Sequence, residues 1–421
     1  MKYLDYVDLN YKPSKSDLIC EFYLEPSKCS MKEAAGAVAS ESSIGTWTEV
    51  STSNPEIEKL AAKVFSIKGN IIKIAYPYEL FEPGNMPQIL SSIAGNIFGM
   101  KTVKNLRLLD VHFPYTLVKS FSGPEHGIEG IRKLLHVHSR PLVGTIVKPK
   151  LGLDEKGHAN VAFQAWLGGC DIVKDDENLS NQSFNNFKKR VIATLKARDV
   201  VEKITGERKV YMPNITAETK EMLHRADFVK SLGGEYVMVD ILSCGWSSLQ
   251  TLVNYNKKFK LVLHAHRAGH AALTRNPKHG ISMLVIAKIC RLIGLDQLHI
   301  GTMIGKMEGG NEVVSIDQEI EKSLIKKNPA SHVLEQKWYN LKSVFAVCSG
   351  GLHPGHVRFL VKHLGKNIIM QFGGGIHGHP NGTIEGAKAV RQAVDAVMQG
   401  INLKEYAKNH EELKIALDFF K

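Results

Sequence analysis

From residue 142 onward the chain repeats one pattern: a short apolar run, a loop, and a segment with helical spacing. The runs are Leu142–Val147, Asp171–Val173, Val210–Ile215, Tyr236–Ile241, Leu261–His264, Gln297–Ile300, Val344–Val347 and Ile368–Phe372. Between them apolar residues recur at i, i+3, i+4, as at Ala387, Val390, Val394 and Val397, with Gly400 closing that helix. Eight strands, each followed by a helix over roughly 270 residues, fit a (β/α)8 TIM barrel. An open doubly wound sheet is the competitor, but no Gly-x-Gly-x-x-Gly follows the first strand. The barrel is favoured.

In such a barrel the reactive groups gather at the C-terminal ends of the strands. Here those ends carry much charge. The first run leads into Val147-Lys148-Pro149-Lys150, where two lysines two residues apart point the same way in an extended segment. A solvated pair on a loop is the plain alternative, but the apolar lead-in from Gly144 to Val147 suggests ammonium groups near a buried rim. The second run ends in Lys174-Asp175-Asp176-Glu177-Asn178. This reads either as an exposed ion-pair cluster or as a hard-metal site, since magnesium prefers oxygen ligands and keeps waters that a substrate can replace. If neutral Lys174 adds carbon dioxide, the cation becomes an anionic carbamate, a third oxygen ligand beside Asp176 and Glu177.

The fifth run ends in His264-Ala265-His266-Arg267, with His270 following, and alternation puts His264 and His266 on one face. No thiolate and no His-Glu-x-x-His helix accompanies them, which counts against zinc. One of the two is expected as a core histidine bonded to backbone, and Arg267 offers forked donors that suit a phosphate. After the sixth run, Gly305-Lys306-Met307-Glu308-Gly309 sets a lone lysine between glycines, either a hinged lid carrying a charge or a flexible surface turn. The last two runs end in Ser349-Gly350-Gly351 and Gly373-Gly374-Gly375. Such turns let backbone N–H groups approach a phosphate, in the two loops where barrels habitually hold one.

The first third reads as a smaller α+β domain of ferredoxin-like type, residues 1–123, ahead of a barrel domain with C-terminal helices, residues 124–421. Strands are expected at Leu18–Leu24 and near Leu106–Phe113, helices over Met31–Ser40 and from about Pro87 to Phe98. Val64–Ile67 and Ile71–Ala75 flank Gly69-Asn70, a two-residue hairpin signal. Ser122-Gly123-Pro124 punctuates the boundary. Six scattered cysteines without a Cys-x-x-Cys pair argue against a zinc or disulfide framework and for a reducing cytoplasm. Met1–Tyr11 has no apolar signal region, and the run Ile281–Ala287 is stopped by Lys288, far short of a membrane span. The net charge of +12 invites nucleic acid, yet the Lys and Arg residues are dispersed and no basic block is interleaved with aromatics. A cationic protein equally focuses an anionic small substrate.

Taken together these segments resemble RuBisCO, the ribulose-1,5-bisphosphate carboxylase family, from about Tyr11 to the C-terminal helices. The most specific match runs from Gly168 to Asn178, similar to the family's carbamylated-lysine motif. The resemblance implies that Lys174 is the carbamate and that it holds Mg2+ with Asp176 and Glu177. It implies Lys148 as acid/base lysine, Lys150 as a substrate contact, His266 as a second acid/base residue, and Arg267 and His299 as ligands of one phosphate. Lys306 resembles the lid lysine that holds the incoming carboxylate. Ser349, Gly350, Gly351, Gln371, Gly373 and Gly374 match substrate and phosphate contacts.

The N-terminal block adds Glu41-Ser42-Ser43-Ile44-Gly45-Thr46-Trp47 and Gly95-Asn96-Ile97-Phe98-Gly99. By likeness, Glu41, Thr46, Trp47 and Asn96 complete the site of a neighbouring subunit, which implies a homodimer or a ring of dimers without a small subunit. Read alone, each is structural: a helix cap, a turn, a core aromatic. Ile146 stands where plant-type relatives carry a substrate-contacting threonine. Thr145 is beside it, but one residue's shift turns a strand side chain to the other face. Met307 and Gly269 also depart from common family residues, Leu and Met. The short chain and the Glu-Ser-Ser-Ile-Gly-Thr-Trp variant look like the archaeal, form III branch. The implied activity joins carbon dioxide, with oxygen as competitor, to ribulose 1,5-bisphosphate, in nucleotide (AMP) salvage, with no nucleic acid or membrane partner. Two alternatives stand beside it: a RuBisCO-like enolase or isomerase without carboxylation, and a non-catalytic anion or nucleic-acid binder.

Overall fold

Eight parallel strands carry the second part of the chain in the computed structural model, which describes residues 1–304 and 310–420. They are Leu142–Ile146, Ile172–Lys174, Val210–Met212, Tyr236–Asp240, Val262–His266, Gln297–His299, Phe345–Ser349 and Ile368–Phe372. Each lies beside its sequence neighbour, and the eighth pairs with the first, Ile369 opposite Leu142. The remaining seam, between the third and fourth strands, is bridged at Asn214 and Met238, where Ile215 N–H donates to the Met238 carbonyl at 3.0 Å. First-to-eighth pairing is what a doubly wound sheet lacks, so the closed barrel holds.

The strand starts are sealed. Leu142, Ile172, Val210, Tyr236, Val262 and Phe345 meet in one buried cluster with Ile128, Ile131 and Leu135 of the helix Gly127–Leu135. Each such side chain contributes about 1.5–3 kcal/mol when removed from water. With apolar residues spent on that end, the polar residues fall at the strand ends. Helices Glu155–Leu167 and Phe187–Thr205 start cleanly, because Asp154 and Asn186 accept from Gly157 N–H and Lys189 N–H. The second ends at Gly206, whose φ of 70° is the left-handed conformation glycine adopts freely.

Two compact units divide the chain: Met1–Gly123 with Gly269–Ile293 and Lys322–Leu341, and Pro124–Ala268 with Gly294–Glu321 and Lys342–Lys421. The first unit thus takes two segments from beyond residue 123. Asp110 explains much of this. Its buried carboxylate lies 2.6 Å from Lys288 Nζ and accepts from Leu334 N–H at 2.7 Å. Lys288 therefore does not stop the apolar run; it lies inside the fully buried helix Met283–Ile293 as one half of an ion pair. Among the described residues no helix is long and apolar enough to cross a membrane.

In the first unit, strands Leu18–Pro26, Lys63–Lys68, Ile71–Tyr76 and Val103–His112 are antiparallel, in the order fourth, first, third, second. With helices Met31–Glu41 and Met86–Ile93 between them, this is the ferredoxin-like arrangement. One expected element is shorter. The helix expected to reach Phe98 ends at Ile93, and Asn96 sits on a separate 3-10 turn, Asn96–Gly99. Gly95 between them has no room for a side chain, since a Cβ there would lie 2.1 Å from the Ser91 carbonyl oxygen.

Candidate active site

The second strand ends in a buried polar turn. Lys174 is 1% exposed; its Nζ donates to the Asp175 carbonyl at 2.8 Å and lies 3.8 Å from Glu177 Oε2. Burial lowers the basicity of this amine, against the opposing pull of Glu177 and Asp176. Alternation sends Asp175 the other way, toward the helices. There it accepts from Arg190 Nε at 3.2 Å, Tyr211 OH at 2.7 Å and Asn214 N–H at 2.9 Å, with His158 Nε2 at 3.1 Å. Burial works to raise its pKa, but Arg190 and His158 outweigh burial and hold the carboxyl well below the usual range.

Asp176 faces the rim with Lys174. Its Oδ2 accepts from Lys148 Nζ at 2.7 Å, and its Oδ1 from Asn178 Nδ2 at 3.0 Å. These bonds, against burial, keep it ionised. Lys148 and Asp176, from two different strands, thus meet directly. Lys150 is exposed on the loop beyond, without joining them.

Glu177 Oε2 lies 3.5 Å from His266 Nε2, and the other ring nitrogen of His266 bonds Asp240 Oδ1 at 2.6 Å. His264 is buried as expected of a core histidine, but its partners are side chains, not backbone. Nδ1 bonds Gln297 Oε1 at 2.8 Å and Nε2 bonds His299 Nε2 at 2.8 Å; His299 Nδ1 then reaches Ser349 Oγ at 2.9 Å. Burial drives His264 down to about 3 and His299 well below its usual value, with neighbouring positive groups adding to both. Both rings are therefore neutral.

The groups expected to contact an anionic substrate are less satisfied. Arg267 has no hydrogen-bond partner among the described residues, and burial lowers it to about 10. Gln371, 1% exposed, has neither amide atom bonded among the described residues. Its amide crosses Gly144, where a Cβ would lie 2.8 Å away. Gly350 and Gly351 have φ of 127° and 78°, conformations that favour glycine. A Cβ at Gly374 would meet nothing within 4 Å, and one at Gly373 only Lys148 Cε at 3.4 Å. Lys306 and Met307 lie outside the described residues. Glu41, Thr46, Trp47 and Asn96 belong to the first unit; Trp47 is 80% exposed, unlike a core aromatic.

Comparison with known proteins gives this rim a family. Residues 127–420 match the catalytic domain of the ribulose bisphosphate carboxylase large chain, and residues 5–117 match its N-terminal domain. The chain belongs to the RuBisCO large-chain family. A ribulose bisphosphate carboxylase of Methanosarcina mazei is 52% identical over 419 residues, 98% of each chain, and one of Methanocaldococcus jannaschii is 50% identical over 99% of this chain and 100% of that one. Among solved structures, octameric Rubisco from Pyrococcus horikoshii superposes with a TM-score of 0.93 at 47% identity, covering 99% of this chain and 96% of that one. Dimeric archaeal Rubisco from Hyperthermus butylicus gives 0.94 at 44%, with 99% of both covered. These relatives are archaeal, in keeping with the form III branch.

Sequence reasoning missed several residues of this RuBisCO rim. Asp240, which orients His266, was readable only as a carboxylate closing the fourth run. The Asp175 anchor needs His158, Arg190 and Tyr211, which no spacing connects. Of the departures from the plant-type pattern, Thr145 bonds the Phe372 carbonyl at 2.5 Å and does not replace the hydroxyl missing at Ile146. Gly269 has φ of 79°, which a methionine adopts only with strain.

Proposed function

We infer that the chain is a ribulose-1,5-bisphosphate carboxylase whose reactive centre is the rim around Lys174. The observation that carries this reading is a buried amine of lowered basicity flanked by Asp176 and Glu177. A neutral amine can attack carbon dioxide; the product loses a proton and becomes a carbamate anion.

The donor set fits Mg2+. Among the described residues no three His, Cys, Asp or Glu side chains gather as for a metal. Two carboxylates with a lysine-derived oxygen are a different kind of set, and all three are hard donors. Among the described residues the Glu177 carboxylate makes no hydrogen bond, lying 3.8 Å from Lys174 Nζ and 3.5 Å from His266 Nε2. Carbamylated Lys174, Asp176 and Glu177 would hold the ion, which supplies Lewis-acid polarisation of the substrate carbonyl when bound.

The chain's own groups divide the remaining work. Carbamylated Lys174 takes the C3 proton of ribulose 1,5-bisphosphate, leaving an enediolate that adds carbon dioxide, with oxygen as competitor. Lys306 would hold the new carboxylate. Water addition and C–C cleavage release two 3-phosphoglycerates, and Lys148 returns a proton to the last carbanion. His266, oriented by Asp240, serves as a second acid/base group. Arg267 and His299 hold one phosphate, and Ser349, Gln371 and the glycine turns contact the substrate and its phosphates, with Lys150 on the substrate, so that two phosphate sites at opposite ends keep reacting atoms positioned.

Glu41, Thr46, Trp47 and Asn96 would come from a partner subunit in a homodimer or ring of dimers. The dimeric and octameric relatives support that assembly. The archaeal kinship favours bisphosphate drawn from AMP salvage. Incubation with bicarbonate, magnesium and ribulose bisphosphate should yield phosphoglycerate; a preparation that yields none contradicts the reading.

A further inference from the structure

We propose that His377 is a positioning residue that fixes the phosphate-side turn of the eighth strand against the lysine arm of the first. The proposal rests on the reading that Gly373 and Gly374 hold a phosphate and that Lys148 moves a proton.

His377 ends the short helix Gly374–His377, directly after those glycines. Its Nε2 lies 3.0 Å from the Ile146 carbonyl oxygen and 2.9 Å from Thr145 Oγ1, and its Nδ1 lies 3.1 Å from Thr383 Oγ1. One protonation pattern satisfies all of these. Thr145 gives its proton to the Phe372 carbonyl, so its oxygen shares the Nε2–H with Ile146, and Nδ1 accepts from Thr383. Burial, aided by the charge of Lys148, lowers the ring to about 4, so this neutral form persists at ordinary pH.

The imidazole therefore joins two segments that only the closed barrel brings together. On one side is Ile146, two residues before Lys148. On the other is the turn of Gly373 and Gly374. A second, independent contact reports the same spacing: the stem of Lys148 lies over Gly373, 3.4 Å from where a Cβ would stand. A shift of the turn would move both the phosphate anchor and the surface on which that lysine rests. The chain lacks a hydroxyl at position 146, and the neighbouring hydroxyl, Thr145, is used to hold His377 from behind.

Loss of the joint should weaken grip on the substrate more than it slows chemistry. Two quantities separate those effects: the Kd for ribulose 1,5-bisphosphate, by calorimetry on metal-free protein in which no turnover occurs, and KM with kcat on the activated enzyme. His377→Leu should raise Kd and KM roughly tenfold and change kcat less than about threefold. His377→Gln, whose amide nitrogen can still donate toward Ile146, should return both to within about threefold of wild type. Thr145→Val should raise KM by a smaller factor than the leucine variant. Unchanged Kd and KM in His377→Leu, or equal impairment by leucine and glutamine, would overturn the proposal. If the leucine protein does not fold, wild-type KM in Thr145→Val overturns it, and a raised KM there with a near-normal His377→Gln upholds it. Lys148→Ala keeps the two failures apart: full activity in that variant sinks the underlying site reading, whereas its loss beside an unaffected His377→Leu sinks only this inference.

Discussion

At the end of the second strand Asp175 is bonded by Arg190, Tyr211 and Asn214, and Asp176 by Lys148 and Asn178. Elsewhere on the same rim, Gln371 buries an amide with no partner and Arg267 has no hydrogen-bond partner among the described residues. The first region is tied on both sides, with Asp175 held from behind, away from the rim, and Asp176 bonded on the rim itself. The second leaves polar groups short of partners, a cost a protein bears where a ligand supplies the missing bonds. A site for a small cation and a base needs fixed oxygens, while a site for a bisphosphate needs donors with nothing else to do.

Substitutions on the two sides should therefore differ in kind. Lys174→Ala should cost about 10^4-fold in carboxylation, the upper range for removing a positioned base; labelled bicarbonate fixation measures it, and a loss below tenfold breaks the assignment. Asp175→Ala leaves Arg190 buried without its carboxylate and should cost about 3–5 kcal/mol in urea unfolding. A cost under about 1 kcal/mol would mean the turn is not held from behind. Arg267→Ala should do the reverse, raising KM about tenfold to a hundredfold through a lost charge-assisted bond while the unfolding midpoint stays put.

The smallest effect concerns pH. His264 is held neutral, with its pKa lowered from 6.5 to about 3. Below pH 6.5 the unfolded chain gains a proton that the folded one refuses, so stability is complete above that value and falls as pH drops toward 3. At pH 5.5 this group alone should cost about 1.4 kcal/mol. Unfolding curves at pH 7.5 and 5.5 test the sign, and His264→Gln should flatten the difference.

Much of this comparison was legible in the sequence because barrel strands put their ends on one rim. Lys148 and Asp176 could be assigned to it from run boundaries alone, and the structure joins them at 2.7 Å. What stayed hidden depends on contacts between segments far apart in the chain. Asp240 reaches His266 on the neighbouring strand, and His377 reaches Ile146 across the closure of the barrel. One of His264 and His266 was expected in the core, bonded to backbone; it is His264, and spacing along one strand gives no view of its side-chain partners Gln297 and His299 on the next. The helix ending at Ile93 was overextended because Gly95, tolerable in a helical pattern, here closes on the Ser91 carbonyl. Lys288 looked like the end of an apolar run because its partner, Asp110, lies in another part of the sequence.

The most direct test is 13C NMR of the protein equilibrated with labelled bicarbonate and magnesium. A carbamate resonance of about one equivalent per chain in the wild type, absent from Lys174→Ala, is the predicted result. An active wild type with no such resonance, or a signal that persists in Lys174→Ala, would contradict it.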